Sequence, residues 1–132
     1  MLELRRFFSI AGLVVVLAAC QGTGQSNVTA LTTLNNSGVT GTVTLTAVDG
    51  SHTRVEIQVN AAGHNDMPSH IHPGNCATLV PQPKYPLQSV TFGRSTTVIA
   101  TSMSELTQGG LAVNLHNSNE DMATYNACAE LK

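Results

Sequence analysis

Three histidines in two short segments are the residues of this chain best suited to bind a metal ion. Side chains at positions i and i+2 of a β-strand point to the same face, so a strand through His70 and His72 places both imidazoles on one side and Ile71 on the other. Segment 111–116 alternates in the same way, with apolar residues on one face and His116 on the opposite face. If both segments are strands, the three imidazoles can converge on the outside of one β-structure.

Such a donor set favours copper. Three imidazoles suit Cu(II), and the divalent series places copper above zinc in affinity for a nitrogen site. Three histidines with a water molecule also describe a catalytic zinc site, so zinc is the chemical competitor. His64 in the preceding loop is the candidate fourth ligand, and Met67 carries a thioether that would favour Cu(I). The alternative for His64 is an ordinary loop histidine, and the alternative for Met67 is a packing role. The alternative for the His-x-His pair is a solvated strand face.

The first nineteen residues have the features of an export signal. Arg5 and Arg6 form a short basic region, and positions 7–19 are apolar except for a serine and a glycine. This apolar stretch suits a signal peptide and is too short to span a bilayer. It ends in Leu-Ala-Ala-Cys, which resembles a bacterial lipobox, so we expect cleavage before Cys20 and lipidation of that residue. The alternative is an ordinary secretory signal followed by an unrelated cysteine.

The net charge of the chain without its first nineteen residues limits the classes of binding partner that we expect. Removal of residues 1–19 leaves four basic and seven acidic groups, for a net charge of about −3. A weakly acidic surface without a basic cluster argues against nucleic acid. We therefore expect no nucleic-acid partner and membrane contact through the lipid anchor only. The expected location is the cell envelope, with the domain facing the periplasm or the exterior.

Cys76 and Cys128 are the thiols that remain once Cys20 is assigned to the lipid. In an exported, oxidising setting, a disulfide between them is the simplest interpretation. Closing a loop of this length would contribute about 4 kcal/mol on the chain-entropy model. The alternative is that both thiols are metal ligands.

Alternating segments rich in threonine and valine predict an all-β domain. Segments 39–48 and 52–60 alternate and are joined by Asp-Gly-Ser, which predicts a hairpin. Segment 73–86 contains four prolines and no periodicity, so we predict a covering loop there. Further strands are predicted within 91–101, 111–116 and about 125–131.

Short strands, turn signals and little helical periodicity indicate an antiparallel sandwich or Greek-key barrel. The predicted organisation is a lipoprotein signal peptide over 1–19, a lipidated cysteine with a flexible tether over 20–37, and a β-sandwich domain over 38–132.

The order of the motifs resembles that of the copper/zinc superoxide dismutases. The sequence has His-Ile-His-Pro-Gly-Asn-Cys, then Gly-Gly-Leu-Ala-Val-Asn-Leu-His, then Ala-Cys-Ala-Glu-Leu. The resemblance covers roughly residues 39–131 and implies that family's Greek-key β-sandwich. It implies copper ligands at His70, His72 and His116. It also implies a disulfide between Cys76 and Cys128.

The chain departs from this pattern in three places. Residues 73–115 contain neither histidine nor aspartate, so the family's zinc ligands and its bridging histidine are absent. Tyr125 stands where the family has an active-site arginine. Segment 102–110 is short and has one charge, whereas the family has a long charged loop that guides superoxide. A positive cleft raises the encounter rate of an anion by about ten- to a thousandfold, and Arg94 is the candidate replacement cation.

The resemblance implies an exported lipoprotein that binds a single copper ion, with compromised superoxide dismutation. Its implied partners are superoxide or a copper-handling protein. An alternative is a non-catalytic surface or interaction domain, because the histidine strands are also similar to those of chordin-type (CHRD) domains. A third interpretation is a copper carrier or buffer, since an open three-coordinate site favours exchange over turnover.

Overall fold

Residues 24–132 are described by a computed structural model, and the predicted signal peptide 1–19 and Cys20 lie outside this part. Within 24–132 the chain forms two six-stranded antiparallel sheets and one short helix. The prediction of an all-β sandwich is therefore confirmed at the level of fold class. In this same range no helix has the length and apolar character needed to cross a bilayer.

The elements follow one another in chain order. They are β1 (Ser26–Ala30), β2 (Thr32–Thr33), β3 (Gly41–Ala47), β4 (Thr53–Val59), β5 (Asp66–Met67), β6 (Ser69–Asn75), β7 (Thr78–Leu79), β8 (Tyr85–Pro86), β9 (Val90–Thr91), β10 (Arg94–Ile99), α1 (Met103–Thr107), β11 (Leu111–His116) and β12 (Tyr125–Leu131).

The first sheet has the strand order β1-β3-β4-β10-β9-β5. The predicted hairpin is present as β3 and β4, with Val43 opposite Ile57 and Leu45 opposite Val55. All four side chains are buried, whereas the alternate threonine and charged residues are more exposed. This period of two is the reason why the sequence pattern located the hairpin.

The second sheet has the order β2-β12-β11-β6-β7, and β8 also pairs with β6. Ile71 of β6 faces Val113 of β11, and Val113 faces Ala129 of β12. These side chains are buried in an aliphatic core shared with the first sheet. Because side chains alternate across a strand, the residues between them point away from the core, toward the outer face of the second sheet.

Two sequence predictions, the tether and the covering loop, need correction. The tether predicted over 20–37 is wrong for residues 26–30, because β1 pairs with β3 along all five of its residues. The strand predicted within 91–101 is confirmed as β10, and it is preceded by a turn in which Phe92 and Gly93 both have positive φ (50° and 79°). The covering loop predicted over 73–86 contains short strands, since β6 runs to Asn75 and pairs there with β7.

The predicted disulfide is present. Cys76 and Cys128 are bonded to each other across a sequence separation of 52 residues. The bond ties the end of β6 to β12, so it links the first histidine segment to the last strand of the same sheet. Because both sulfur atoms are used in this bond, the alternative of thiolate metal ligands is wrong for these residues.

Candidate metal centre

Strand pairing places the three histidines on one face of the second sheet. In the β6–β11 ladder, His70 is opposite Asn114 and His72 is opposite Ala112. Directly paired residues share a face, and His116 is two residues beyond Asn114 on the same strand. The register with β12 shifts at His116, which faces Tyr125. The alternation read from the sequence therefore put all three imidazoles on the correct face.

The three rings lie close enough to bind a single ion. Their ligand nitrogens are all within 4.8 Å of one another. His70 Nδ1 is 3.1 Å from His116 Nε2, and the ring centroids are 5.1 to 5.9 Å apart. Two nitrogens bound to one ion at about 2.0 Å lie no more than about 4 Å apart, so small ring movements would complete coordination.

Two main-chain carbonyls fix which nitrogen faces the centre. His72 Nδ1 is 2.9 Å from the carbonyl oxygen of Val80, and His116 Nδ1 is 2.6 Å from that of Met122. A carbonyl oxygen can only accept, so each Nδ1 carries a proton, and in the neutral ring each Nε2 is then the nitrogen with the lone pair for a metal ion. Such hydrogen bonds are the usual device for orienting metal-binding histidines.

The lone pair of His72 Nε2 has no hydrogen-bond partner among residues 24–132, although the atom is buried. A buried polar atom without a partner is costly in free energy and calls for an explanation. A metal ion bound to this nitrogen would satisfy it. The residues present therefore fit a bound metal.

The histidines are less exposed than a solvated strand face would be. His72 and His116 are 2% and 4% exposed, and His70 is half-buried. Two segments outside the sheet cover them and leave a cleft of about 480 Å³. The residues lining this cleft are His70, His72, Pro81, Pro83, His116, Met122, Ala123 and Tyr125.

The environment keeps two of the imidazoles neutral. Burial lowers the pKa of His70, and the nearby His116 and His72 lower it further. Burial also lowers the pKa of His116, against the opposing effect of its hydrogen bond to Met122. Since a histidine binds a metal through its neutral form, these two rings are ready to act as ligands at neutral pH.

Some predicted residues are not brought to the centre. His64 lies in the loop before β5 and is not part of the three-histidine group found in the described residues. Arg94 is exposed on β10 in the other sheet, so it does not supply the missing cation. Met67 is fully buried in the core, which confirms packing as its role.

Sequence reasoning does not single out Met122, and it notes Tyr125 only as the residue at the position of the family's arginine. The Tyr125 ring meets the His116 ring edge to face, with centroids 5.2 Å apart. Met122 lines the cleft and offers its carbonyl to His116. The available signal for these two residues was the order of the strands. The chain returns from β11 to the antiparallel β12, which brings the segment between the two strands back beside His116.

Comparisons with models of protein families, with curated proteins and with solved structures found no match to this chain. What the centre can do follows from its own donors. Three imidazoles on two paired strands, two of them held by main-chain carbonyls, form a nitrogen site that could hold one metal ion.

Proposed function

We propose that this protein is an exported lipoprotein that binds a single copper ion through His70, His72 and His116. The observation that carries the proposal is the convergence of three ligand nitrogens within 4.8 Å on the outer face of one sheet. Copper is favoured because the divalent series places it above zinc in affinity for a nitrogen site. Zinc remains the competitor, since three histidines with one open position also suit it.

The motif order supports placing this domain near the copper/zinc superoxide dismutases, with a Greek-key sandwich that lacks the zinc half. Three structural features add to this support. They are the two antiparallel sheets, the histidine pair on one strand with a third histidine on its neighbour, and the bond between Cys76 and Cys128. Export of the domain and its lipid anchor at Cys20 rest on the apolar segment and lipobox-like residues at the start of the sequence.

Copper, when bound, would supply one-electron redox chemistry at this site. The residues around the site favour retention of the copper ion over rapid catalytic turnover of superoxide. Within the described residues the cleft is lined by no lysine or arginine, so nothing in its lining attracts superoxide electrostatically. Tyr125 lines the cleft and packs against His116, and its phenol provides no positive charge. A copper carrier or buffer is therefore the second candidate function, and dismutation is expected to be compromised.

Copper titration of the purified protein tests the proposal. We expect one equivalent of Cu(II) to bind and to give a nitrogen-rich paramagnetic spectrum. His70→Ala should abolish this binding and leave the circular dichroism spectrum unchanged. His64→Ala is the matched control, because it removes a histidine outside the group and should leave the stoichiometry at one. Failure of the unaltered protein to bind copper would favour the CHRD-like interaction domain.

Two further measurements separate the remaining candidates. The metal content of protein purified from its own cell envelope distinguishes copper from zinc. A superoxide assay of the copper-loaded protein distinguishes an enzyme from a carrier. Activity no greater than that of free copper would exclude dismutation as the function.

A further inference from the structure

The cleft offers very few donor atoms besides the three imidazoles. Of the other lining residues in the described part of the chain, Pro81, Pro83 and Ala123 have side chains without donors. The thioether of Met122 and the phenol of Tyr125 are the side-chain donors that remain, and the lining includes no carboxylate. Any fourth side-chain ligand from this cleft must therefore be one of these two.

Met122 is placed at the centre by its main chain. Its carbonyl oxygen accepts the 2.6 Å hydrogen bond from His116 Nδ1, so its backbone is fixed relative to one of the histidines. Met122 is 38% exposed, whereas Met67 and Met103 are 0% and 7% exposed in the core. A methionine that lines a cleft beside three imidazoles is free to bind a ligand in a way that the two core methionines are not.

The segment that carries Met122 is held by its own hydrogen bonds. The Asp121 carboxylate accepts hydrogen bonds from Asn117 Nδ2 and from the main-chain N–H of Thr124. The N–H of Asp121 in turn donates to Ser118 Oγ. These contacts fix the backbone on both sides of Met122, so its position beside His116 does not depend on a single bond.

We propose that Met122 is the fourth ligand of this centre and that the resulting three-histidine, one-thioether site holds Cu(I) in preference to Cu(II). The inference rests on the proposed copper function. Thioether sulfur is a soft donor that selects Cu(I), while imidazole binds copper in both oxidation states. A phenol must lose its proton to bind a metal strongly, whereas a thioether binds as it is, so Met122 is a better candidate than Tyr125. A preference for one oxidation state favours storage or transfer of cuprous ion over dismutation, which needs both states.

Met122→Leu is the test variant. Leucine removes the sulfur, conserves the side-chain volume and keeps the carbonyl that orients His116. Cu(I) affinity is measured anaerobically against a chromophoric Cu(I) chelator, and Cu(II) affinity against a Cu(II) chelator. We expect the Cu(I) affinity to fall about tenfold or more, while the Cu(II) affinity changes by less than about threefold. A tenfold selective loss corresponds to a reduction potential about 59 mV lower.

Met103→Leu is the matched control, because it makes the same chemical change in the core and should alter neither affinity. The inference is overturned if Met122→Leu keeps its Cu(I) affinity within about twofold, or if it loses both affinities equally. It is also overturned if the control variant shows the same selective loss. In each case copper binding by the unaltered protein would leave the three-histidine function standing. Absence of copper binding in the unaltered protein would refute that function instead, and this inference with it.

Discussion

His116 on β11 donates a hydrogen bond from Nδ1 to the main-chain carbonyl oxygen of Met122, over 2.6 Å. His72 makes the equivalent contact with Val80, over 2.9 Å. The sheet supplies the positions of these histidines, but the carbonyls that orient their rings belong to two segments outside β6, β11 and β12. The geometry of the centre therefore depends on how those segments are held.

Removal of the Asp121 carboxylate is expected to weaken copper binding at a distance. Asp121→Ala deletes the acceptor for Asn117 and for the N–H of Thr124, which loosens the backbone that orients His116. Groups that hydrogen-bond a metal ligand directly typically affect metal affinity by about 10- to 100-fold, and because Asp121 acts only through the backbone of Met122, we expect a loss of at most about tenfold. Competition with a Cu(II) chelator measures it. Glu120→Ala removes an exposed acid from the same segment and serves as the control. An equal loss in both variants would point to net charge as the cause.

Acidification is expected to destabilise the metal-free protein from about pH 6.5 downward. Burial lowers the pKa of His70 and of His116 below the ordinary value of 6.5. Below that value the unfolded chain binds protons that the folded chain does not. The stability that the folded protein has above pH 6.5 is therefore lost as the pH falls through the folded-state pKa values of His70 and His116. The slope is at most about 1.4 kcal/mol per pH unit for each histidine.

Urea unfolding at several pH values between 7.5 and 5 measures this slope. The double variant His70→Gln, His116→Gln lacks both groups, so its free energy of unfolding should vary less over this range. Parallel profiles for the two proteins would show that these histidines do not cause the dependence.

Loss of the disulfide is expected to lower stability substantially. The bond closes a loop with a sequence separation of 52 residues, which corresponds to about 4 kcal/mol on the chain-entropy model. The double variant Cys76→Ala, Cys128→Ala is suitable because Cys128 is fully buried and alanine adds no polar atom there. Its free energy of unfolding should approach that of the reduced unaltered protein. No difference between oxidised and reduced protein would contradict the prediction.

The turn between β3 and β4 is expected to be sensitive to acid. Hydrogen bonding from the main-chain N–H of Ser51, and then from His52, lowers the pKa of Asp49 from 3.8 to about 2. The contribution of Asp49 to stability is therefore present above about pH 3.8 and is lost as the pH falls toward 2. Asp49→Asn should lower the thermal midpoint at pH 7, and the difference from the unaltered protein should shrink at pH 3. Glu56→Gln on β4 is the control for loss of an acidic residue, and a difference that stays constant with pH would contradict the assignment.

Several strands could be predicted from the sequence because their signal is local. The predicted segments 111–116 and 125–131 coincide with β11 and β12, and the predicted hairpin corresponds to β3 and β4. In each case apolar residues alternate with polar or small ones, so that one face of the strand packs into the core. The same alternation put His70, His72 and His116 on a common face.

Other features depend on partners distant in the chain. Ser26–Ala30 lacks a clear alternation of apolar residues and becomes a strand by pairing with β3. The turn at Phe92 was missed because an aromatic residue with positive φ is uncommon, although the following glycine was a usable signal.

From its own amino acids alone, this chain specified an all-β domain, the cysteine pair and the identity of three convergent nitrogen donors. Side-chain period and residue chemistry are properties of short segments, and they need no knowledge of the rest of the fold. Tertiary structure alone decided how closely the donors approach, which nitrogen of His72 and His116 faces the centre, and that Met122 lies beside them. These features arise from contacts between segments that only the folding of the two sheets brings together, so no local pattern could encode them.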